Sequence, residues 1–162
     1  MRYCEKILFV FFSCLLTFLL VASARGFTIA PERPLPEVEV RVLTLYDVCV
    51  EGTIVPAARL QGHAYAESGC QNDAIGDGGW SVSQFQLYEI PEYHAWRVQR
   101  WGEYDPKKPE EAGRIAALCI QDCILAFPDD EPMQITAYRW GIDGARAHGV
   151  DWWYVNRVRA TI

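Results

Sequence analysis

The sequence predicts a mainly α single domain with a short β-hairpin near 76–88, and three features lead there. A long apolar stripe of helical period runs through 109–127 (Ala112, Ile115, Ala116, Cys119, Cys123, Ala126 and Phe127). An alanine-rich segment follows Pro56, and a further apolar-periodic segment closes the chain after Trp152. Between the first two lies a stretch, 68–83, that is too rich in glycine to build core: Gly69, Gly76, Gly78 and Gly79, interleaved with Asn72, Asp73 and Asp77. With 162 residues the chain suffices for one domain and one sizeable core.

The elements follow in order. Residues 1–24 read as a secretory signal peptide. Arg2 and Lys6 give a positive start, the run from Ile7 to Ala22 is uncharged, and Ala22-Ser23-Ala24 is a small-x-small cleavage pattern. The alternative is an uncleaved anchor, but the run is short of the ~20 apolar residues a span needs. Cleavage predicts a secreted or periplasmic protein with no stable membrane insertion. Residues 25–36 hold three prolines and read as an extended leader, and the domain occupies 37–162. Over 37–50, Val42, Leu45, Tyr46 and Cys49 fall on a helical stripe, although Val38, Val40 and Val42 also alternate as in a strand; the expectation is a helix ending at Gly52. Pro56 suits the first turn of the next helix, over 57–66, with Leu60, Ala64 and Glu67 along one face. Residues 83–88 read as a helical turn or irregular segment, 91–101 as a short aromatic helix and 102–109 as a turn. After the 109–127 helix, Pro128-Asp129-Asp130 is a stop signal. A helix over 132–140, a polar loop over 141–149 and a closing helix over 152–162 complete the chain, with Trp153, Val155 and Val158 facing inward.

Charge and cysteine content narrow the function classes. The net charge is −6, and loss of Arg2, Lys6 and Glu5 with the signal leaves the remainder one unit more acidic. Nucleic acid and anionic membranes are poor partners for such a chain. Cys49, Cys70, Cys119 and Cys123 remain after cleavage. An even count in an exported chain predicts two disulfides; Cys119 and Cys123 share one helical face, so Cys49 and Cys70 are their expected partners, in either order. Free buried thiols are the alternative. A zinc site is disfavoured because no C-x2-C pair occurs and His63, His94 and His148 are scattered.

Glu67 is the candidate for chemistry. It stands at the C-terminal end of the 57–66 helix, where the helix dipole disfavours a negative charge. An apolar setting would add to this and raise the pKa, leaving a carboxyl able to act as a general acid. Position alone also fits a solvated surface glutamate. The following loop favours the first reading: Gly76-Asp77-Gly78-Gly79 lets backbone approach a ligand closely, Ser81, Ser83, Gln84 and Gln86 offer neutral hydrogen-bonding groups, and Trp80, Phe85 and Tyr88 offer flat faces. One acid among neutral polar groups and aromatic faces suits a carbohydrate.

These residues carry a resemblance. Glu67-Ser68-Gly69, Asn72-Asp73-Ala74, Gly76-Asp77-Gly78-Gly79 and the segment from Ser81 to Leu87 resemble the E-S-G … S-x-G-x-x-Q signature of soluble lytic transglycosylase domains and the related goose-type lysozymes. The likeness runs on through the 109–127 helix to Trp153-Tyr154-Val155-x-x-Val158, similar to the closing Y-V-x-x-V of that superfamily, and covers about residues 37–162. Two departures stand out: Ser83 replaces the signature glycine, and Ala137-Tyr138-Arg139-Trp140-Gly141 keeps the aromatic and glycine of a Y-N-x-G segment without its asparagine.

The resemblance implies a lysozyme-like fold with a cleft for a peptidoglycan glycan strand, a monomer, and no cofactor or metal. It implies Glu67 as the catalytic acid/base. Substrate contacts are then expected from Ser68, Asp77, Ser83, Gln86, Tyr138 and Tyr154. The reaction implied is cleavage of the MurNAc–GlcNAc β-1,4 bond with closure of a 1,6-anhydro ring. Two alternatives remain open at this point. Asp77 lies where goose-type lysozymes hold water with an aspartate, which suits hydrolysis, but Tyr88 stands where a second such aspartate is expected. A non-catalytic peptidoglycan-binding module would keep the cleft but would have no need of a protonated acid.

Overall fold

A computed structural model describes residues 44–161. The signal segment 1–24, the leader 25–36, residues 37–43 of the first expected helix, and Ile162 lie outside the described residues. Six helices and one small sheet form the described chain: α1 Leu45–Cys49, α2 Ala57–Ser68, β1 Ile75–Gly76, β2 Ser81–Val82, β3 Leu87–Tyr88, α3 Pro91–Trp101, α4 Pro109–Ala126, α5 Glu131–His148 and α6 Trp152–Arg159. The chain is therefore mainly helical with a three-stranded antiparallel sheet in the order β1-β2-β3. Among the described residues no helix is long and apolar enough to cross a membrane.

Helix α4 is the hub. Its stripe of Ala112, Ile115, Ala116, Ala117 and Ile120 is buried, and α1, α2 and α5 pack around it. Pro109 opens it where a missing N–H costs nothing, with Glu110 and Glu111 in the first turn where the dipole favours them. Phe85, Leu87 and Tyr104 close this core from the loop side. A second cluster joins Ala66 of α2 to Ile135 of α5 and to Tyr154, Val155 and Val158 of α6. The result locks the C-terminal turn of α2, which carries Glu67, against α6.

Local chemistry sets the helix starts. Thr44 and Asp47 form a reciprocal capping box on α1. Asp130 accepts from the Met133 N–H at 3.1 Å and Asp151 from the Tyr154 N–H at 3.1 Å, capping α5 and α6.

Several expectations are corrected. Only Leu45–Cys49 of the expected 37–50 helix is helical among the described residues. The expected polar loop over 141–149 is helix: α5 runs to His148 through a kink at Gly141, whose φ of +75° and ψ of 162° are non-helical. Glycine takes that conformation at little steric cost, and Ala145, fully buried beyond the kink, gives the resumed helix an apolar anchor. Residues 83–86 form a turn that leads into β3. Trp153 faces outward, 59% exposed, while Tyr154, Val155 and Val158 face the core.

The two expected disulfides are absent. Cys49, Cys70, Cys119 and Cys123 are all free thiols. Each has another task in the packing: Cys49 is seated against Gly113 and points its thiol at the Glu110 carbonyl, 3.6 Å away, Cys70 lies beside the Tyr46 hydroxyl, Cys119 beside Arg97, and Cys123 in a separate cluster with Ala137 and Ala145. Burial pushes the Cys49 and Cys119 thiols up to about 11 and Cys123 up to about 12, away from reactive thiolate.

Candidate functional site

The sheet exists to shape one turn. β1 pairs with β2 (Ile75 opposite Val82, Gly76 opposite Ser81), and β2 with β3 (Ser81 opposite Tyr88, Val82 opposite Leu87). Asp77, Ser83 and Gln86 all take left-handed backbone, at φ of +49°, +72° and +47°. The Ser83–Gln86 turn is tied down from three sides. Tyr138 donates its hydroxyl to the Phe85 carbonyl at 3.0 Å, Ser68 donates Oγ to the Gln84 carbonyl at 3.0 Å, and the Tyr46 hydroxyl donates to Gln84 Oε1 at 3.0 Å. Gln86 Nε2 donates to the Ser83 carbonyl at 2.9 Å and the Ala74 carbonyl at 3.3 Å. A Cβ at position 76 would collide with Gln86 Oε1, so Gly76 makes room for that side chain.

Beside this turn opens a groove of about 970 Å³, at the upper end of the usual size of ligand clefts. Glu67, Asp77 and Gln86 line it on the sheet side, and Tyr138, Arg139 and Trp140 on the α5 side. Tyr88, Tyr93 and Trp96 form an aromatic wall; the rings of Tyr88 and Tyr93 lie 5.9 Å apart. That wall is anchored by Glu89, which accepts from Arg97 at 2.9 Å and Tyr104 at 2.7 Å and lies 2.6 Å from His94 Nδ1. Arg97 also donates to the Tyr88 carbonyl at 2.8 Å, which ties α3 to β3.

Glu67 Oε1 accepts a hydrogen bond from the Tyr154 hydroxyl at 2.5 Å. The Glu67 carboxyl is held above the usual carboxylate range. Burial is the main cause; the Tyr154 hydrogen bond and the charges of Arg139 and Arg157 oppose it, and Asp77 adds to it. The raised pKa and the end-of-helix position thus combine in one group, at a groove, whose protonated form is favoured over that of an ordinary carboxylate.

The expected site residues divide by depth. Glu67, Asp77, Gln86 and Tyr138 line the groove. Asp77 is exposed and accepts a short hydrogen bond from Ser81 Oγ. Ser83 is 2% exposed, with its Oγ accepting from the Phe85 N–H at 3.3 Å. Ser68 holds the Gln84 carbonyl, and Tyr154 is buried beneath Glu67. Ser68, Ser83 and Tyr154 are not among the residues that line the groove; Ser68 and Tyr154 hydrogen-bond Gln84 and Glu67, next to it. Of the aromatics singled out with the loop, Tyr88 lines the groove, Phe85 is core and Trp80 is exposed.

Sequence reasoning gave no site role to Tyr93, Trp96 and Arg97 of α3, nor to Arg139 and Trp140 of α5, which it met only as members of the 137–141 segment. It also missed His63. One helical turn before Glu67, His63 was legible as a polar residue on the buried face of α2. Comparison with known proteins gave no match: no family model, no curated protein and no solved structure matches this chain.

Proposed function

We propose that this protein is a peptidoglycan lytic transglycosylase with a lysozyme-like fold, cleaving the MurNAc–GlcNAc β-1,4 bond with Glu67 as its one acid/base. The observation that carries the proposal is a half-buried carboxyl of raised pKa at the edge of an aromatic-walled groove. The other groove carboxylates, Asp77 and Glu92, are exposed. Two-carboxylate glycosidases need a second acid to activate water or attack the sugar; a one-acid route does not.

In that route protonated Glu67 gives its proton to the bridging oxygen as the C1–O bond breaks. The carbonyl of the substrate's own N-acetyl group stabilises the cation at C1. The Glu67 carboxylate, steadied by the Tyr154 hydroxyl, then removes the proton from the 6-hydroxyl. O6 closes on C1 to give the 1,6-anhydro sugar, and Glu67 is again protonated. Acid–base action of this kind contributes about 10²–10⁴ in rate; the rest falls to orientation and to electrostatics in the groove. Tyr88, Tyr93 and Trp96 supply faces on which sugar rings stack, and Gln86, Tyr138 and Arg139 supply polar groups for hydroxyl and amide contacts.

One observation favours a second reading. Asp77 lies on the same groove, with Ser81 Oγ fixing its carboxylate; a water held there would turn the reaction into hydrolysis. The test of the enzyme reading is digestion of isolated cell-wall sacculi by the purified protein and by its Glu67→Gln variant. Clearing by the parent and none by the variant is expected. Binding by both without clearing by either would make the protein a wall-binding module.

A further inference from the structure

His63 is fully buried on α2, one turn before Glu67. Its Nδ1 lies 3.1 Å from the Tyr154 hydroxyl oxygen, and that oxygen lies 2.5 Å from Glu67 Oε1. The ring packs against Tyr138 at 4.5 Å and Tyr154 at 5.8 Å between centroids. Its other nitrogen, Nε2, has no partner among the described residues. Burial and the nearby Arg59 guanidinium lower its pKa to about 3, so the ring is neutral and carries one N–H.

The position of that N–H follows from counting donors. A buried N–H with no acceptor is rare in native structures, while a buried lone pair without a donor is better tolerated. Nε2 is therefore the bare nitrogen. The hydrogen sits on Nδ1 and is donated to the tyrosine oxygen. Tyr154 has one hydrogen, and the acceptor left for it is Glu67.

We propose that His63 is a positioning residue for Glu67: the His63 Nδ1–H donates to Tyr154 Oη, which fixes the tyrosine's single hydrogen on Glu67 Oε1. The role in catalysis rests on the reading of Glu67 as acid/base; the hydrogen-bond direction does not. The relay has two consequences. The Glu67 proton is kept off the oxygen that Tyr154 occupies, and the carboxylate formed after proton transfer meets a donor already polarised by the histidine. The other titratable and charged groups facing Glu67 are Asp77 from the loop, Arg139 from α5 and Arg157 from α6. Tyr138, which packs on His63, feels Glu67 and also Cys119 and Cys123 of α4. None of these groups is itself removed when His63 is changed.

Two measurements on the substrate-free purified protein decide the matter, and neither depends on wall digestion. The ¹⁵N shifts of the His63 ring, assigned by loss in His63→Phe, should show a protonated Nδ1 and a bare Nε2; a proton on Nε2 overturns the proposal. The side-chain ¹³C shift of Glu67, assigned with Glu67→Gln, should titrate with a midpoint higher in His63→Phe than in the parent by ~0.5 pH unit or more, since the donor to Tyr154 is lost. His63→Asn, whose amide places a donor near the Nδ1 position, should restore the parent midpoint. An unchanged or lowered midpoint in His63→Phe, or an equal rise in His63→Asn, overturns it. Should His63→Phe not fold, ring assignment by elimination of His94 and His148 leaves the first test intact. Failure of sacculus digestion with the expected tautomer and midpoints would sink the enzyme reading and leave the relay standing.

Discussion

Gly113 is where the scaffold bears most directly on the site. It lies in the second turn of α4, buried, and a Cβ built there would overlap Cys49 Sγ and come within 3.1 Å of Cys49 Cβ and 3.3 Å of Phe85 Cε2. Gly113→Ala therefore sets two effects against each other. Alanine gains about 1 kcal/mol over glycine in a helix interior. Overfilling a packed core costs about 1–3 kcal/mol, and the upper part of that range applies because the neighbours have nowhere to go: Cys49 is 2% exposed and Phe85 not at all. The expected net loss is about 1–2 kcal/mol, read as a lower urea midpoint with an unchanged slope. Cys49→Ala removes the overlapping sulfur, so the double variant should recover most of the loss, a coupling of about 1–2 kcal/mol. Phe85 sits one residue before Gln86, so the single variant should also digest walls more slowly than the double. A Gly113→Ala protein as stable as the parent, or a double variant that is simply additive, would refute this account of why α4 carries a glycine.

The remaining predictions concern the site. Folding raises the Glu67 pKa, so this group's contribution to stability is present below the unfolded value near 4.3 and is lost as pH rises through the folded value. Glu67→Gln should therefore gain thermal stability on the parent between pH 4 and pH 8, and melting curves showing the opposite trend would remove burial as the cause. Tyr154→Phe deletes the hydrogen bond that favours the carboxylate, so the alkaline limb of the pH–kcat/KM profile should move to higher pH; an unmoved limb counts against the contact. Ser83 holds φ at +72°, so Ser83→Gly should stabilise by about 0.5–1 kcal/mol in urea unfolding, after loss of the long Phe85 contact. Asp77→Asn should keep the anhydro product; loss of all cleavage would favour water activation at Asp77.

The helical framework was legible because its signals are local. The α4 stripe, the proline before α2 and the paired valines of α6 each sit within one or two turns of chain. The hairpin was legible from its glycines, and Glu67 from its place at a helix end followed by a turn. What escaped depends on distant partners. The Gly141 kink reads as a loop in sequence, and only the buried Ala145 beyond it shows why the helix resumes. Trp153 is apolar and periodic, yet Tyr154 takes the inward position because its hydroxyl has a partner in Glu67. Cys119 and Cys123 stand one turn apart on α4 as expected, but Cys119 lies beside Arg97 and Cys123 among Ala137 and Ala145, while Cys49 and Cys70 meet Gly113 and Tyr46. The groove walls come from α3 and α5, and nothing in either segment alone marks Trp96 or Arg139 as lining the same groove as Glu67.

The central claim is that one protonated carboxyl, with no second acid, cleaves the glycan and closes the ring. Mass spectrometry of muropeptides released from sacculi tests it most directly. The account predicts products lighter by one water than the hydrolysed sugar, made by the parent and by Asp77→Asn but not by Glu67→Gln. Reducing-end sugars of full hydrolysed mass, or product formation that survives Glu67→Gln, would contradict it.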